Sequence, residues 1–224
     1  MGIFALSTLL VAGAGIYIFS KVFPNFQPGS KKVEADIQAM REDMVDKIEA
    51  LIPLKEEEYE LLSSHQEDKA RKRGFTKGYE GVFTTIFHEP AIAYQFKKYI
   101  STGTNHLLYA RTAAHEYIFW TKSKGTKLVI DGKYVGDIRD KGILYGGSKN
   151  REMAKIDRKQ EDFLPIVVLD KEVASLVKAK LEPDDDLSPR AFEYVRSGLT
   201  AEEKALMMAL VIYEMVLMRT IKLD

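Results

Sequence analysis

Ala205-Leu206-Met207-Met208-Ala209-Leu210-Val211-Ile212-Tyr213-Glu214-Met215-Val216-Leu217-Met218 is a helical run of fourteen residues in which Glu214 is the only charge. It has no polar face, so a helix built from it must be buried all round. Fourteen residues are too few to cross a bilayer, which needs about 20. Thr200 and Glu203, just upstream, have the spacing of a capping box and start the helix. The simplest place for such an element is inside a curved sheet, as the core of a barrel. A second membrane segment is the competing reading, against which stands the cost of a carboxylate in lipid. Glu214 must therefore sit at the mouth of the core or pair with Lys, Arg or a protonated group.

The sequence before this run supplies the sheet. From Phe75 to Lys180, β-branched and aromatic runs are broken by Gly, Asn and Asp. Strands are expected at Val82 to Phe87, Ala91 to Ile100, His106 to Ala110, Glu116 to Thr121, Lys127 to Ile130, Lys133 to Ile138, Met153 to Arg158, Pro165 to Leu169 and Glu172 to Val177. In Lys127-Leu-Val-Ile-Asp131-Gly132-Lys-Tyr-Val-Gly136 the Asp-Gly pair supplies the positive φ angles of a tight hairpin. Val168-Leu-Asp170-Lys-Glu-Val-Ala174 repeats the form. Repeated hairpins imply an antiparallel barrel or sandwich. After an acidic loop, Glu182 to Leu187, Ser188-Pro189 reads as the cap of a short helix ending at Gly198.

These hairpins, followed by Glu202-Glu203-Lys204-Ala-Leu-Met-Met-Ala-Leu210, resemble the tubby C-terminal and phospholipid-scramblase type of barrel over about Lys127 to Met218. The resemblance implies a β-barrel threaded by a hydrophobic last helix, and it transfers no functional residue. The chain departs from that group, whose members usually have a longer barrel, and it carries its membrane-length apolar run at the N-terminus rather than the C-terminus.

From Gly2 to Ser20 there is no charged side chain, a length that matches a bilayer crossing. Lys21, Pro24, Pro28 and Gly29 follow, and Tyr17, Phe19, Phe23 and Phe26 place rings near the exit. A cleavable signal peptide is the alternative, with Ala12-Gly13-Ala14 as its site, although no Lys or Arg precedes the run. Lys21, Lys31 and Lys32 lie after the run, so a single-pass anchor would put the N-terminus outside and the remaining chain on the cytoplasmic or equivalent side.

Val33, Ile37, Met40, Met44, Ile48 and Leu51 form the apolar stripe of one helix over Lys31 to Ile52, ended by Pro53. The stripe can pack on the chain's own domain, on a second copy or on a partner subunit. Leu54 to Arg73, acidic at its start and basic at its end, reads as a second helix aligned with its dipole. Its cluster Lys69, Arg71, Lys72 and Arg73, with Lys77, is either a solvated helix end or a contact for anionic lipid headgroups. The expected organisation is α+β: an anchor over 1–23, a helical stalk over 24–74 and a β-rich domain with a core helix over 75–224.

No catalytic signature emerges. With 33 basic and 33 acidic residues the chain lacks the excess positive charge that duplex binding requires. The absence of cysteine excludes disulfides, thiolate metal sites and Cys nucleophiles. His65, His88, His106 and His115 have no metal-ligand spacing, and His88-Glu89-Pro90 breaks off as a zincin string. Ser175-Leu-Val-Lys178 falls on an expected strand, Gly146-Gly147 lacks the residues of a phosphate loop, and Asp184-Asp185-Asp186 lacks a calcium loop's alternation and Gly. The aromatics from Tyr94 to Trp120 read as sheet core. The expectation is therefore a non-enzymatic, membrane-anchored interaction protein without cofactor or metal, a subunit of a membrane-associated assembly. Binding of anionic lipid, or lipid movement, is the alternative.

Overall fold

The computed structural model describes residues 28–73, 76–100, 104–139, 142–147, 150–160, 162–178 and 189–223. Among these residues, twelve strands form one antiparallel sheet in which every strand pairs with its sequence neighbours. They are β1 Leu62–Arg73, β2 Thr76–Thr85, β3 Pro90–Lys98, β4 His106–Thr112, β5 Glu116–Lys122, β6 Gly125–Ile130, β7 Lys133–Arg139, β8 Ile143–Gly146, β9 Glu152–Ile156, β10 Phe163–Val168, β11 Lys171–Val177 and β12 Phe192–Val195. The sheet curls into a nearly closed barrel whose two ends meet at a short seam. There Ser63 bridges Arg190, the Ala191 N–H donates to the Leu62 carbonyl at 2.7 Å, and the Ser64 N–H donates to the Pro189 carbonyl at 3.0 Å. Both predicted hairpins are present, with φ of 49° and 76° at Asp131 and Gly132, and 48° and 67° at Leu169 and Asp170. Two successive positive φ values are what a two-residue turn needs to follow the strand twist.

Period-two alternation sends one set of side chains inward, as in β6, where Thr126, Leu128 and Ile130 are buried. The inward set closes on helix α3, Ala201–Leu223. From Leu206 to Val216 every residue of α3 is buried, and these residues share one core with Phe83, Tyr94, Phe119, Leu128 and Ile166. The capping box is in place: the Thr200 N–H donates to the Glu203 carboxylate at 2.8 Å and the Glu203 N–H to Thr200 Oγ1 at 3.2 Å. Glu214 meets Arg158, with Nη2 2.5 Å from Oε2 and Nε 3.1 Å from Oε1, as a carboxylate in so apolar a segment requires. The helix runs five residues beyond Met218. Among the described residues no helix is long and apolar enough to cross a membrane.

A second core lies on the outer wall. Helices α1, Ser30–Asp43, and α2, Val45–Glu49, cover the outward side chains Ala93, Tyr99, Leu107, Tyr109 and Ile118. Val33, Met40, Met44 and Leu51 are buried there, and Ile37 and Ile48 pack against them. Of the three occupants open to the stripe, the chain's own domain takes it, which leaves these side chains unavailable for self-association or a partner subunit in the docked state.

Three expectations are corrected. Leu54 to Arg73 is not a helix: Glu56–Leu61 is a 3-10 turn, and Leu62–Arg73 is β1, paired with β2 from Leu62↔Thr85 to Arg73↔Thr76. The expected helical stalk therefore ends well before residue 74. Ser188 to Gly198 is not a helix either, since Phe192–Val195 is strand β12 on the β11 edge. Strand β8, four residues long, adds to the expected strands. The N-terminal apolar run, residues 2–20, lies outside the described residues.

Candidate functional site

Antiparallel order assigns every turn to one of two barrel ends. The turns β2–β3, β4–β5, β6–β7, β8–β9 and β10–β11 share one end with the N-terminus of α3, here the distal end. The turns β1–β2, β3–β4, β5–β6, β7–β8, β9–β10 and β11–β12 share the other, the proximal end. Helix α1 fixes where the N-terminal segment joins the barrel. Its first turns lie at the proximal end of β3, where Asp36 accepts from Lys32 at 2.5 Å, Lys97 at 2.9 Å and the Tyr99 hydroxyl at 2.8 Å. Burial alone would raise the Asp36 pKa, but these three donors outweigh it and hold the carboxyl below its ordinary value. Farther along, Arg41 grips Glu116 through Nη2 at 2.6 Å and Nε at 2.9 Å, and the Tyr109 hydroxyl donates to the same carboxylate at 3.1 Å. The Arg41 hydrogen bonds hold Glu116 below the usual carboxylate range. A two-pronged guanidinium contact defines direction as well as position, so α1 is set along the wall from the proximal to the distal end.

The basic cluster named from sequence falls on the β1–β2 hairpin. Lys69, Arg71, Lys72 and Arg73 are on β1 and Lys77 on β2, with Lys72 opposite Lys77 and Lys77 opposite Lys98. The backbone thus brings these positions together at the proximal end, while the side chains of 66–77 lie outside the described set. Exposed Lys122 and Lys124 on the β5–β6 turn, and exposed Lys31 and Lys98, stand on the same sector. The linear sequence hides this grouping because the strands that carry it are distant in the chain.

The distal end differs. Of the large apolar side chains exposed among the described residues, Phe87 on the β2–β3 turn is 65% exposed and Tyr134 at the start of β7 is 50% exposed. Tyr134 edges an open cleft of about 740 Å³ with Gly147, Arg151, Met153, Leu169 and Glu202. The Tyr134 ring lies so close to Gly147 that a Cβ there would come within 2.6 Å of it. A narrower pocket of about 150 Å³ opens between Ile52, Tyr59, His115, Tyr117, Lys204 and Met208. Neither hollow was predicted; each is assembled from turns and from the end of α3.

The chemistry-bearing residues stay apart. Among the described residues no three His, Asp or Glu could share a metal ion. The His65 and His88 rings are 6.5 Å apart edge to face, and His115 pairs with Asp131 at 2.7 Å in a turn. His106 is buried inside the barrel, 4.8 Å from the Phe96 ring and 6.5 Å from the Tyr213 ring. Ser175 is a buried residue of β11, as its strand position implied. Residues 184–186 lie outside the described set. Comparison with protein-family models, with curated proteins and with solved structures gives no match.

Proposed function

We propose that the chain is a single-pass membrane protein whose barrel is a non-catalytic interaction module, a subunit of an assembly at the cytoplasmic or equivalent face. The observation that carries this reading is the docking of α1. The apolar run 2–20 is followed nine residues later by a helix fastened to the barrel wall by Asp36 and Arg41, so an anchor built from that run would be tied to the proximal end of the barrel. That orientation turns the distal end, with Phe87, Tyr134 and the open cleft beside Tyr134, away from the bilayer. Exposed aromatics beside a concave surface are what protein interfaces use as anchors. A core filled by α3 leaves the barrel interior to packing rather than to substrate. A nearly closed barrel round an apolar last helix is also consistent with a fold-level resemblance to the tubby and scramblase type.

A photo-crosslinking residue at Phe87 or Tyr134 in the full chain, in its native membrane, is expected to capture a discrete protein. The same residue at Lys124 should capture none. Deleting residues 1–27 should release the folded barrel from the membrane fraction. Capture equal at both ends, or a truncated chain that stays in the membrane, overturns the reading.

A further inference from the structure

We propose that the proximal rim between α1 and the β5–β6 turn rests on the anionic surface of the same bilayer that holds the N-terminal run. This deepens the anchored reading above and depends on it. The first argument is the tether. If the membrane helix ends near Phe23, only residues 24–29 separate it from α1, and six extended residues reach at most about 20 Å. Because α1 starts at the proximal end of β3, the short linker holds that end, and no other, beside the headgroups.

The second argument is charge. The sector next to α1 exposes Lys31, Lys98, Lys122 and Lys124, and the β1–β2 hairpin adds the positions of Lys69, Arg71, Lys72, Arg73 and Lys77. Its acidic positions are fewer: Glu34, which is exposed, Asp36, already paired with Lys32 and Lys97, and Glu67 and Asp68 on β1, so the sector keeps a basic excess. The opposite sector carries no such excess among the described residues: Asp157 and Asp162 on the β9–β10 turn are interleaved with Arg158 and Lys159. Basic groups near an anionic leaflet add their attractions within a Debye length of the surface. The basic excess on the α1 sector turns that side of the barrel toward the lipid. The attachment is electrostatic and supplements the helix.

The chain has no cysteine, so one introduced thiol reports one place. Ser123→Cys on the β5–β6 turn and Ala113→Cys on the distal β4–β5 turn, each exposed, are labelled with a fluorophore in the full chain. The chain is placed in nanodiscs of phosphatidylcholine alone or of equal parts phosphatidylcholine and phosphatidylserine, with nitroxide on the headgroups. The Ser123 label should be quenched in the phosphatidylserine discs and much less in phosphatidylcholine. High salt, or Lys122→Glu with Lys124→Glu, should abolish the difference, with an unchanged circular dichroism spectrum showing that the variant is folded. The Ala113 label should stay bright in both. A full chain that enters discs while the Ser123 label stays bright in both lipids, or is quenched equally in both, overturns the seat and leaves the anchor standing. A chain that does not enter discs overturns the anchor and the seat together.

Discussion

A carboxylate on a helix enclosed by a barrel is tolerated only if a cation follows it in, and Arg158 does so from the β9–β10 connection. Breaking such a pair leaves the survivor without its partner. A third of the Arg158 side chain meets solvent, so Arg158→Ala should cost about 2 to 3 kcal/mol in chemical denaturation, below the range for a fully buried pair. Glu214→Gln keeps hydrogen-bonding capacity and should cost less. His106 poses the same problem without a cation. It is 7% exposed, its Nε2 has no protein partner, and burial, helped by the nearby Lys98 charge, pushes its pKa down to about 4. Tyr213 from α3 and Thr121 from β5 complete its polar surroundings. The folded chain therefore keeps His106 neutral where the unfolded chain protonates it. Stability should fall as pH drops from about 6.5 through about 4, by up to about 3 kcal/mol, and level off below. Urea titrations across that window should show a flatter profile for His106→Gln. An unchanged profile would mean that the ring is hydrated in solution.

At the scale of elements, α3 tests the architecture. Leu210 is 1% exposed within the shared core, so Leu210→Ala should cost about 2 to 5 kcal/mol through the cavity it leaves. An unshifted melting temperature would contradict the enclosed helix. This helix was legible from sequence because no polar stripe, one carboxylate and a capping box leave few places for it. The Asp131-Gly132 hairpin was legible because its turn chemistry is local, whereas the Leu169-Asp170 hairpin was legible only from its likeness in form to the first, since Leu169 is a poor residue for a positive φ. β1 was not. Its Gln66-Glu-Asp-Lys-Ala-Arg-Lys-Arg73 sequence lacks β-branched residues and grades from acid to base like a helix, but ladder hydrogen bonds to β2 outweigh that weak propensity. β12 was masked by Ser188-Pro189 and Gly198, which imitate helix caps, and β8 is only four residues long. Both candidate ends were illegible for a further reason: their members meet only after twelve strands have alternated in direction.

The described residues pack into two cores on the two faces of one wall. Strands β3 to β6 send Tyr94, Leu108, Phe119 and Leu128 inward to α3, and Ala93, Leu107, Tyr109 and Ile118 outward to α1. Undocking α1 would expose Leu107, Tyr109 and Met44, each at most 1% exposed, and strand Glu116 without Arg41. Burial on this scale, at about 1.5 to 3 kcal/mol per large side chain, exceeds the backbone entropy that a frayed helix recovers in its first turns. Helix α1 should therefore leave the wall only when the wall itself fails. Trp120 makes this measurable, because it is the chain's single tryptophan and packs against the outer core beside α1. In the chain lacking residues 1–27, Trp120 fluorescence and far-ultraviolet circular dichroism should report one melting temperature. Arg41→Ala, which removes the grip on Glu116 without touching the apolar contacts of α1, should lower that single melting temperature without separating the two signals. The same truncated chain should sediment as a monomer, since the stripe from Val33 to Leu51 is already covered. Two transitions in the unsubstituted chain, or a dimer that Met44→Glu dissolves, would mean that α1 exchanges between its own barrel and a neighbour's. The membrane orientation inferred from its docking would then have to be abandoned.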